Sequence, residues 1–80
     1  MNDAELREHI ASLVEEEHRL LDHGERGKLT PEDHERLEQI SVRLDQFWDL
    51  LRQRRARQEF GQDPNTAHLR PGEVVEHYRQ

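Results

Sequence analysis

Apolar residues in the second half of the chain recur at alternating steps of three and four. The series is strictest between residues 37 and 51, and its members are Leu37, Ile40, Leu44, Phe47 and Leu51. At 3.6 residues per turn, this spacing places all of them on one side of an α-helix. A second, looser series lies nearer the N-terminus and consists of Leu6, Ile10, Leu13, Val14, Leu20 and Leu21. The pattern therefore predicts two amphipathic helices.

The first helix has a recognisable start and end. Asn2 is a favourable N-cap residue, and Glu5 follows three residues later, as in a capping box. Helix 1 is predicted over about residues 3–23, and Gly24 is expected to terminate it. Glu17 falls in the middle of the apolar series, where an unpartnered buried carboxylate is costly. We interpret it as a residue that sets register, as polar residues do in coiled-coil seams.

The second helix has the clearer boundary. Thr30 and Pro31 are typical of the cap and the first position of a helix, and acidic residues follow at its positive end. Helix 2 is predicted over about residues 31–60 and is expected to stop at Gly61. The short loop between the helices predicts an antiparallel, coiled-coil-like hairpin. If the loop centres near residues 26–27, residue i of helix 1 lies opposite about residue 54 − i of helix 2.

Residues 62–80 form a tail with signals of its own. Asp63 and Pro64 are expected to cap a single helical turn, and a short helix is predicted over residues 73–78. The tail holds more apolar side chains than a solvated segment needs, namely Leu69, Val74, Val75 and Tyr78. We therefore expect it to dock on the hairpin or on a second subunit.

The size of the chain favours one all-α domain over residues 1–80. A chain of 80 residues with 31% apolar and 38% charged residues buries little surface and is marginally stable when compact. Trp48, beside Phe47, widens the apolar stripe of helix 2 beyond what a two-helix seam covers. Pairing of two hairpins into a four-helix bundle is the simplest way to cover it, which predicts a homodimer.

Charge is distributed unevenly along the chain. Residues 1–49 hold six Lys and Arg against fourteen Asp and Glu, whereas residues 50–80 hold six against four. The acidic majority disfavours general nucleic-acid binding. There is no cysteine for a disulfide or thiolate site, and no apolar run approaches the ~20 residues that span a bilayer. The N-terminal residues do not resemble a secretory signal, so we expect a cytoplasmic protein without membrane association.

The candidate interaction surface lies where the apolar series of helix 2 meets a basic segment. Its residues are Trp48, Arg52, Arg54, Arg55 and Arg57. Arginine pairs bidentately with phosphate and tryptophan can stack on a base, which makes nucleic acid one candidate partner. The basic segment also complements the helix dipole and can pair with Asp45, Asp49, Glu59 or a neighbouring acidic helix, which is the favoured interpretation.

Catalytic and metal chemistry have little support. Glu15 and His18 have the Glu-x-x-His spacing of helical di-iron sites, but Glu15 points away from the apolar stripe and helix 2 offers no second copy. Neither a nucleophile–base pair nor a phosphate-binding glycine loop is recognisable. We predict no enzyme activity, no cofactor and no metal site.

Two segments resemble a known family. They are EEEHRL at residues 15–20 and LDQFWDLLRQRRARQEFGQDPNTAHLRPGEVVEHY at residues 44–78. With them the chain resembles, over essentially its whole length, a family of small actinobacterial proteins known only as a domain of unknown function. The resemblance implies a short helical protein and supplies no activity, ligand or catalytic residue.

The leading functional hypothesis is a non-enzymatic interaction or scaffold module. Its helical packing would bind a second copy or another protein, as the width of the apolar stripe and the charge asymmetry indicate. The alternative is a nucleic-acid-binding module that uses the basic segment from Arg52 to Arg57.

Overall fold

The fold is a long helical hairpin with a short tail packed along it. The computed structural model describes residues 1–25, 27 and 29–77. Two long helices account for most of them, α1 (Asp3–Glu25) and α2 (Pro31–Glu59). They pack side by side in an elongated molecule that measures 50 × 26 × 16 Å. The described residues contain no strand, and the predicted all-α hairpin with a short C-terminal helix is confirmed.

Both long helices begin at the predicted caps. Asn2 and Glu5 form a reciprocal pair, in which the Glu5 amide donates to Asn2 Oδ1 at 2.8 Å. Thr30 and Asp33 form the same arrangement at the start of α2, with both hydrogen bonds at 3.1 Å. Each pair satisfies two backbone donors that a helix start would otherwise leave unbonded.

The prediction that Gly24 terminates helix 1 is wrong. The helix includes Gly24 and ends at Glu25. The chain turns at Gly27, two residues beyond the end of the helix. Its φ of 73° is a conformation that glycine adopts at little cost. The second helix ends at Glu59, one residue before the predicted limit, and Gly61 adopts φ 69° just beyond it.

The core lies toward the open end of the hairpin. Leu6 and Ile10 of α1 pack with Phe47, Leu50 and Leu51 of α2, and all five are buried. The predicted apolar series identified four of these residues but not Leu50. Ala67 from the tail packs against the same cluster, so the core has a third side that no two-helix pattern reveals.

Toward the loop the apolar series are unevenly covered: Ile40 of α2 is fully buried, but several others are not. Leu13, Val14 and Leu20 are half-buried, and Leu21 is 48% exposed. Glu17 is also half-buried, so the fold does not force its carboxylate out of water. The largest cluster of buried apolar side chains therefore lies at the open end of the hairpin.

Two ion pairs show the register of the hairpin. Asp3 pairs with Arg54, whereas the predicted register places it opposite Leu51. Glu16 pairs with Arg36, two residues before the position predicted for its partner. Arginine side chains are long enough to bridge such offsets, so the observed pairs agree with an antiparallel hairpin of about the predicted register.

The tail returns along α2 in the opposite direction. Asp63 caps a 3₁₀ turn (Pro64–Thr66), as predicted, and α3 (Gly72–His77) follows an extended segment. Val75 of α3 is buried, whereas Val74 remains 41% exposed. The predicted contribution of Tyr78 lies outside the described residues. The tail thus docks on the hairpin of its own chain, the first of the two predicted alternatives.

A close approach of backbone to side chain fixes the position of α3. A Cβ atom at Gly72 would lie 2.6 Å from Cγ1 of Val42, well inside van der Waals contact. We expect Gly72→Ala to destabilise the protein by about 1–3 kcal/mol, because valine is stiff at χ1 in a helix and cannot move aside. Urea unfolding followed by circular dichroism measures the change.

Gly24→Ala is the matched control. An added Cβ there meets only Leu29 at 3.6 Å, and alanine favours a helix interior by roughly 0.5–1 kcal/mol over glycine. Val42→Ala should rescue Gly72→Ala, because it removes the clashing methyl group. Independent, additive effects of the two substitutions would contradict the proposed contact.

Candidate interaction surface

One side of α2 carries polar side chains that hold the tail, and we call it the polar strip. Its members are Gln46, Asp49, Gln53 and Arg54. The tail segment between the 3₁₀ turn and α3 has no regular structure of its own. Side chains of the strip therefore bond its carbonyls: Gln53 Nε2 donates to the His68 carbonyl at 2.8 Å, and Gln46 Nε2 donates to that of Arg70 at 3.0 Å. The strip supplies the pairing that a β-ladder would otherwise provide.

Asp49 is a buried carboxylate within this strip. It is 5% exposed, accepts a hydrogen bond from Gln53 Nε2 at 2.9 Å, and lies 3.4 Å from Nε of Arg70. The sequence interpretation paired Asp49 with the arginines of its own helix. The structure instead gives it a partner from the tail, so its negative charge holds the tail against α2.

Arg54 joins three segments of the chain. It is 6% exposed, and its Nε donates to Oδ1 of Asp3, at the start of α1, at 2.6 Å. Its Nη1 reaches the Pro64 carbonyl at 3.3 Å and Asn65 Oδ1 at 3.2 Å, both in the 3₁₀ turn. A planar guanidinium with several donors is suited to bind three acceptors at once.

The hydrogen bond from Arg54 also changes the acidity of its partner. It stabilises the charged form of Asp3 and holds the pKa of that carboxyl below its usual value of 3.8, while desolvation opposes the effect. A similar hydrogen bond from Arg36 lowers the pKa of Glu16. Each of the two carboxylates therefore has its own arginine as a hydrogen-bond partner.

The structure divides the four arginines of the basic segment into two groups. Arg54 is buried in the junction, and Arg57 is half-buried with its Nε donating to Thr66 Oγ1 at 2.7 Å. Arg52 and Arg55 are exposed and, among the described residues, enter no ion pair. Of the five residues predicted for the interaction surface, Trp48, Arg52 and Arg55 are therefore the exposed ones.

A continuous row of side chains follows the exposed side of α2, and we call it the outer stripe. Its members recur at steps of three and four and are Leu37, Ser41, Leu44, Trp48, Arg52 and Arg55. The first three are half-buried and the last three are exposed, with 45% of Trp48 accessible. An exposed tryptophan beside half-buried leucines is unusual on the outer side of a helix, so this row is a candidate for binding a partner.

Sequence reasoning identified part of this stripe and missed the rest. Leu37 and Leu44 were assigned to the seam with α1, and Leu44 does pack against the core cluster while also bordering Trp48. Ser41 carried no signal by itself. Leu37, Ser41 and Trp48 are related only by their helical spacing. That spacing indicates a surface only after the structure shows which other sides of α2 are covered.

Among the described residues, the fold brings no group of further metal-binding side chains to Glu15 and His18. Across the described parts of the chain, no three His, Asp or Glu side chains are grouped so as to hold an ion. The carboxylate that contacts α2 is instead the neighbouring Glu16, which forms a bidentate pair with Arg36. Within the same residues, no helix has both the length and the apolar character needed to cross a bilayer.

These features define a class of small helical-hairpin proteins with a tail held by polar side chains. Residues 2–80 match the family described as "Protein of unknown function (DUF2630)", and the chain belongs to that family. It is similar to uncharacterised proteins of Mycobacterium tuberculosis, strains H37Rv and CDC 1551, and of Mycobacterium bovis. Each is 47% identical over 79 residues, which cover 95% of this chain and 88% of the relative. No solved structure matches the chain.

The junction predicts unequal roles for neighbouring arginines. We expect Arg54→Ala to cost about 2–3 kcal/mol of unfolding free energy, because three acceptors lose a charged donor. Arg55→Ala, at an exposed site one residue away, should change stability by less than about 0.5 kcal/mol. Urea titration of both variants makes the comparison. Equal effects would show that Arg54 is not a structural junction.

The Asp3–Arg54 pair also predicts a pH dependence. Because the folded pKa of Asp3 lies below its unfolded value, the pair stabilises the protein above that unfolded value and loses its effect as pH falls through the folded pKa. Asp3→Asn should therefore be less stable than the unmodified protein near neutral pH, and the difference should shrink in acid. Denaturant titrations from neutral pH to below about pH 3 test this. A difference that is constant over the whole range would rule out the ionic contribution.

Proposed function

We propose that this protein is a non-enzymatic interaction module that binds a helical partner through the outer stripe. The observation that carries the proposal is the 45% exposure of Trp48, which follows the half-buried Leu44 on the outer stripe. Trp48 is the only tryptophan of the chain. Exposed tryptophan within an apolar row is typical of binding surfaces, since a large side chain contributes most of the energy of many interfaces.

The other sides of α2 support this assignment because they already have partners. The apolar side packs on α1 through the core cluster, and the polar strip holds the tail. The outer stripe is covered only in part: Leu44 packs at the edge of the core cluster, whereas Trp48, Arg52 and Arg55 are exposed. A helical partner could lie along this row, since side-chain ridges of one helix pack into the grooves of another.

Isolated exposed apolar residues elsewhere are weaker candidates. Phe60 is 80% exposed, but it lies just beyond the end of α2, and its neighbours one turn earlier are Ala56 and Arg57. A single exposed aromatic side chain is common in small proteins and needs no partner. Trp48 differs because Leu44 and Ser41 extend its surface toward the loop.

Nucleic-acid binding remains the alternative prediction, with less support from the geometry. Two of the four arginines on which it depends, Arg54 and Arg57, are engaged inside the protein. Phosphate binding would rest mainly on Arg52 and Arg55, on a chain whose formal net charge is −6. Two exposed charges provide little of the electrostatic energy that nonspecific nucleic-acid binding needs.

A photo-crosslinking residue at position 48 tests the proposal in the cells that produce the chain. We expect a specific adduct from position 48 and none from position 60, where the same group is exposed but lies off the stripe. The adducted protein is then identified, purified and mixed with this chain. Binding that Trp48→Ala weakens by about tenfold or more would support the proposal.

The same experiment separates the alternatives. An adduct to DNA or RNA, lost when Arg52 and Arg55 are both alanine, would favour the nucleic-acid function instead. Absence of any adduct from position 48, with the protein folded and present at its normal level, would contradict the proposed interaction surface.

A further inference from the structure

We propose that Thr66 is a phosphorylation site and that Arg57 of α2 binds the phosphate group placed on it. The donor is a nucleoside triphosphate, used by a protein kinase. The contact that carries the inference is the hydrogen bond from Arg57 Nε to Thr66 Oγ1, at 2.7 Å. The inference is independent of the proposed function, because neither residue belongs to the outer stripe.

Arg57 carries a positive charge that no described residue pairs with. It is half-buried, its Nε donates to a neutral hydroxyl, and it enters no ion pair among the described residues. Arg36 and Arg54, in contrast, each pair with a carboxylate. A guanidinium group binds two oxygens of a phosphate at once, with two parallel hydrogen bonds. The hydroxyl that Arg57 already contacts is the atom on which a kinase would place such a group.

Thr66 is accessible to a modifying enzyme. It is exposed at the end of the 3₁₀ turn (Pro64–Thr66), and the chain that follows has no regular structure until α3 begins. A surface segment of this kind opens locally at a small cost in free energy, without unfolding of the long helices. The Thr66 hydroxyl donates to the Asp63 carbonyl at 2.7 Å, and local opening breaks this hydrogen bond.

The other hydroxyl groups of the described residues lack such a cation. No arginine among these residues is hydrogen-bonded to Ser12, Thr30 or Ser41. Thr30 is exposed like Thr66, but its Oγ1 caps α2 by accepting from the Asp33 amide. A phosphate there would lie beside the carboxylates of Glu32 and Asp33, which repel it. Thr30 is therefore the matched control for Thr66.

Phosphoryl transfer to Thr66 changes the charge of the turn. The bond from Oγ1 to the γ-phosphorus forms, the bond from that phosphorus to the bridging oxygen breaks, the nucleoside diphosphate leaves, and the hydroxyl proton passes to the base of the kinase. The product carries about 1.5–2 negative charges at pH 7. Arg57 pairs with them, and Arg54, bonded to Asn65 Oδ1, adds positive charge nearby, whereas the Asp63 carboxylate opposes them. Phosphorylation would thus tie the turn to α2.

Mass spectrometry of the full chain tests whether the modification occurs. The chain is purified, with phosphatase inhibitors present, from growing and from starved cells of the species that produces it. We expect a phosphorylated fraction with the phosphate on Thr66, absent from Thr66→Ala, and no phosphate on Thr30. A chain that carries no phosphate on Thr66 in either state of the cells would overturn the proposal.

A chain with phosphothreonine at position 66 tests the role of Arg57. Because the sequence has no cysteine, two synthetic segments can be ligated through a cysteine at position 56 that desulfurisation then converts to the native Ala56. The second pKa of the phosphate is ordinarily about 6, and a bound guanidinium lowers it by favouring the dianion. Phosphorus NMR should show the lowered pKa, a return to the ordinary value in Arg57→Ala, and no return in the matched control Arg55→Ala. An ordinary pKa with Arg57 in place would contradict binding of the phosphate by Arg57.

Urea unfolding of the same chains measures the effect on the fold. Phosphorylation should raise the urea midpoint more when Arg57 is present than in Arg57→Ala, because only the first chain gains the ion pair between the turn and α2. Circular dichroism establishes that each chain is folded at the start of the titration. An equal shift in both backgrounds would show that the phosphate does not act through Arg57.

Discussion

A buried guanidinium is the constraint on which the rest of the structure depends. Arg54 binds the start of α1 through Asp3 and the 3₁₀ turn through Asn65 and the Pro64 carbonyl. Each of these segments has little apolar surface of its own, and a chain of 80 residues has a small core. One side chain with several directed donors therefore defines where the ends of the hairpin and the tail meet.

The sides of α2 make different kinds of contact. Apolar packing against α1 provides most of the favourable burial, whereas hydrogen bonds and the Asp49–Arg70 pair orient the tail. Because the tail has neither a ladder nor a long helix, its backbone carbonyls need these side-chain donors. With two sides occupied, the outer stripe is the surface that we propose for binding another molecule.

Membership of the family bears on the structure of the relatives but does not indicate a function. Relatives that are 47% identical over nearly the whole chain share enough sequence for the hairpin architecture to be expected in them. Their descriptions supply no activity, so function has to be argued from the surface. The exposed Trp48, together with the contacts that already cover the other sides of α2, is the feature on which that argument rests.

The sequence by itself determined the two helices, their caps and the antiparallel hairpin, because periodicity and capping act over a few neighbouring residues. It also located the turn at Pro64 and part of the candidate surface at Trp48. It did not reveal that Arg54 is buried while Arg55 is exposed, since both belong to the same run of charges. Nor did it show that Gln46 and Gln53 hold the tail, because polar residues on a helix resemble a solvated side. Those assignments depend on contacts between residues distant in the chain, and only the tertiary structure decides which side of a helix another segment covers.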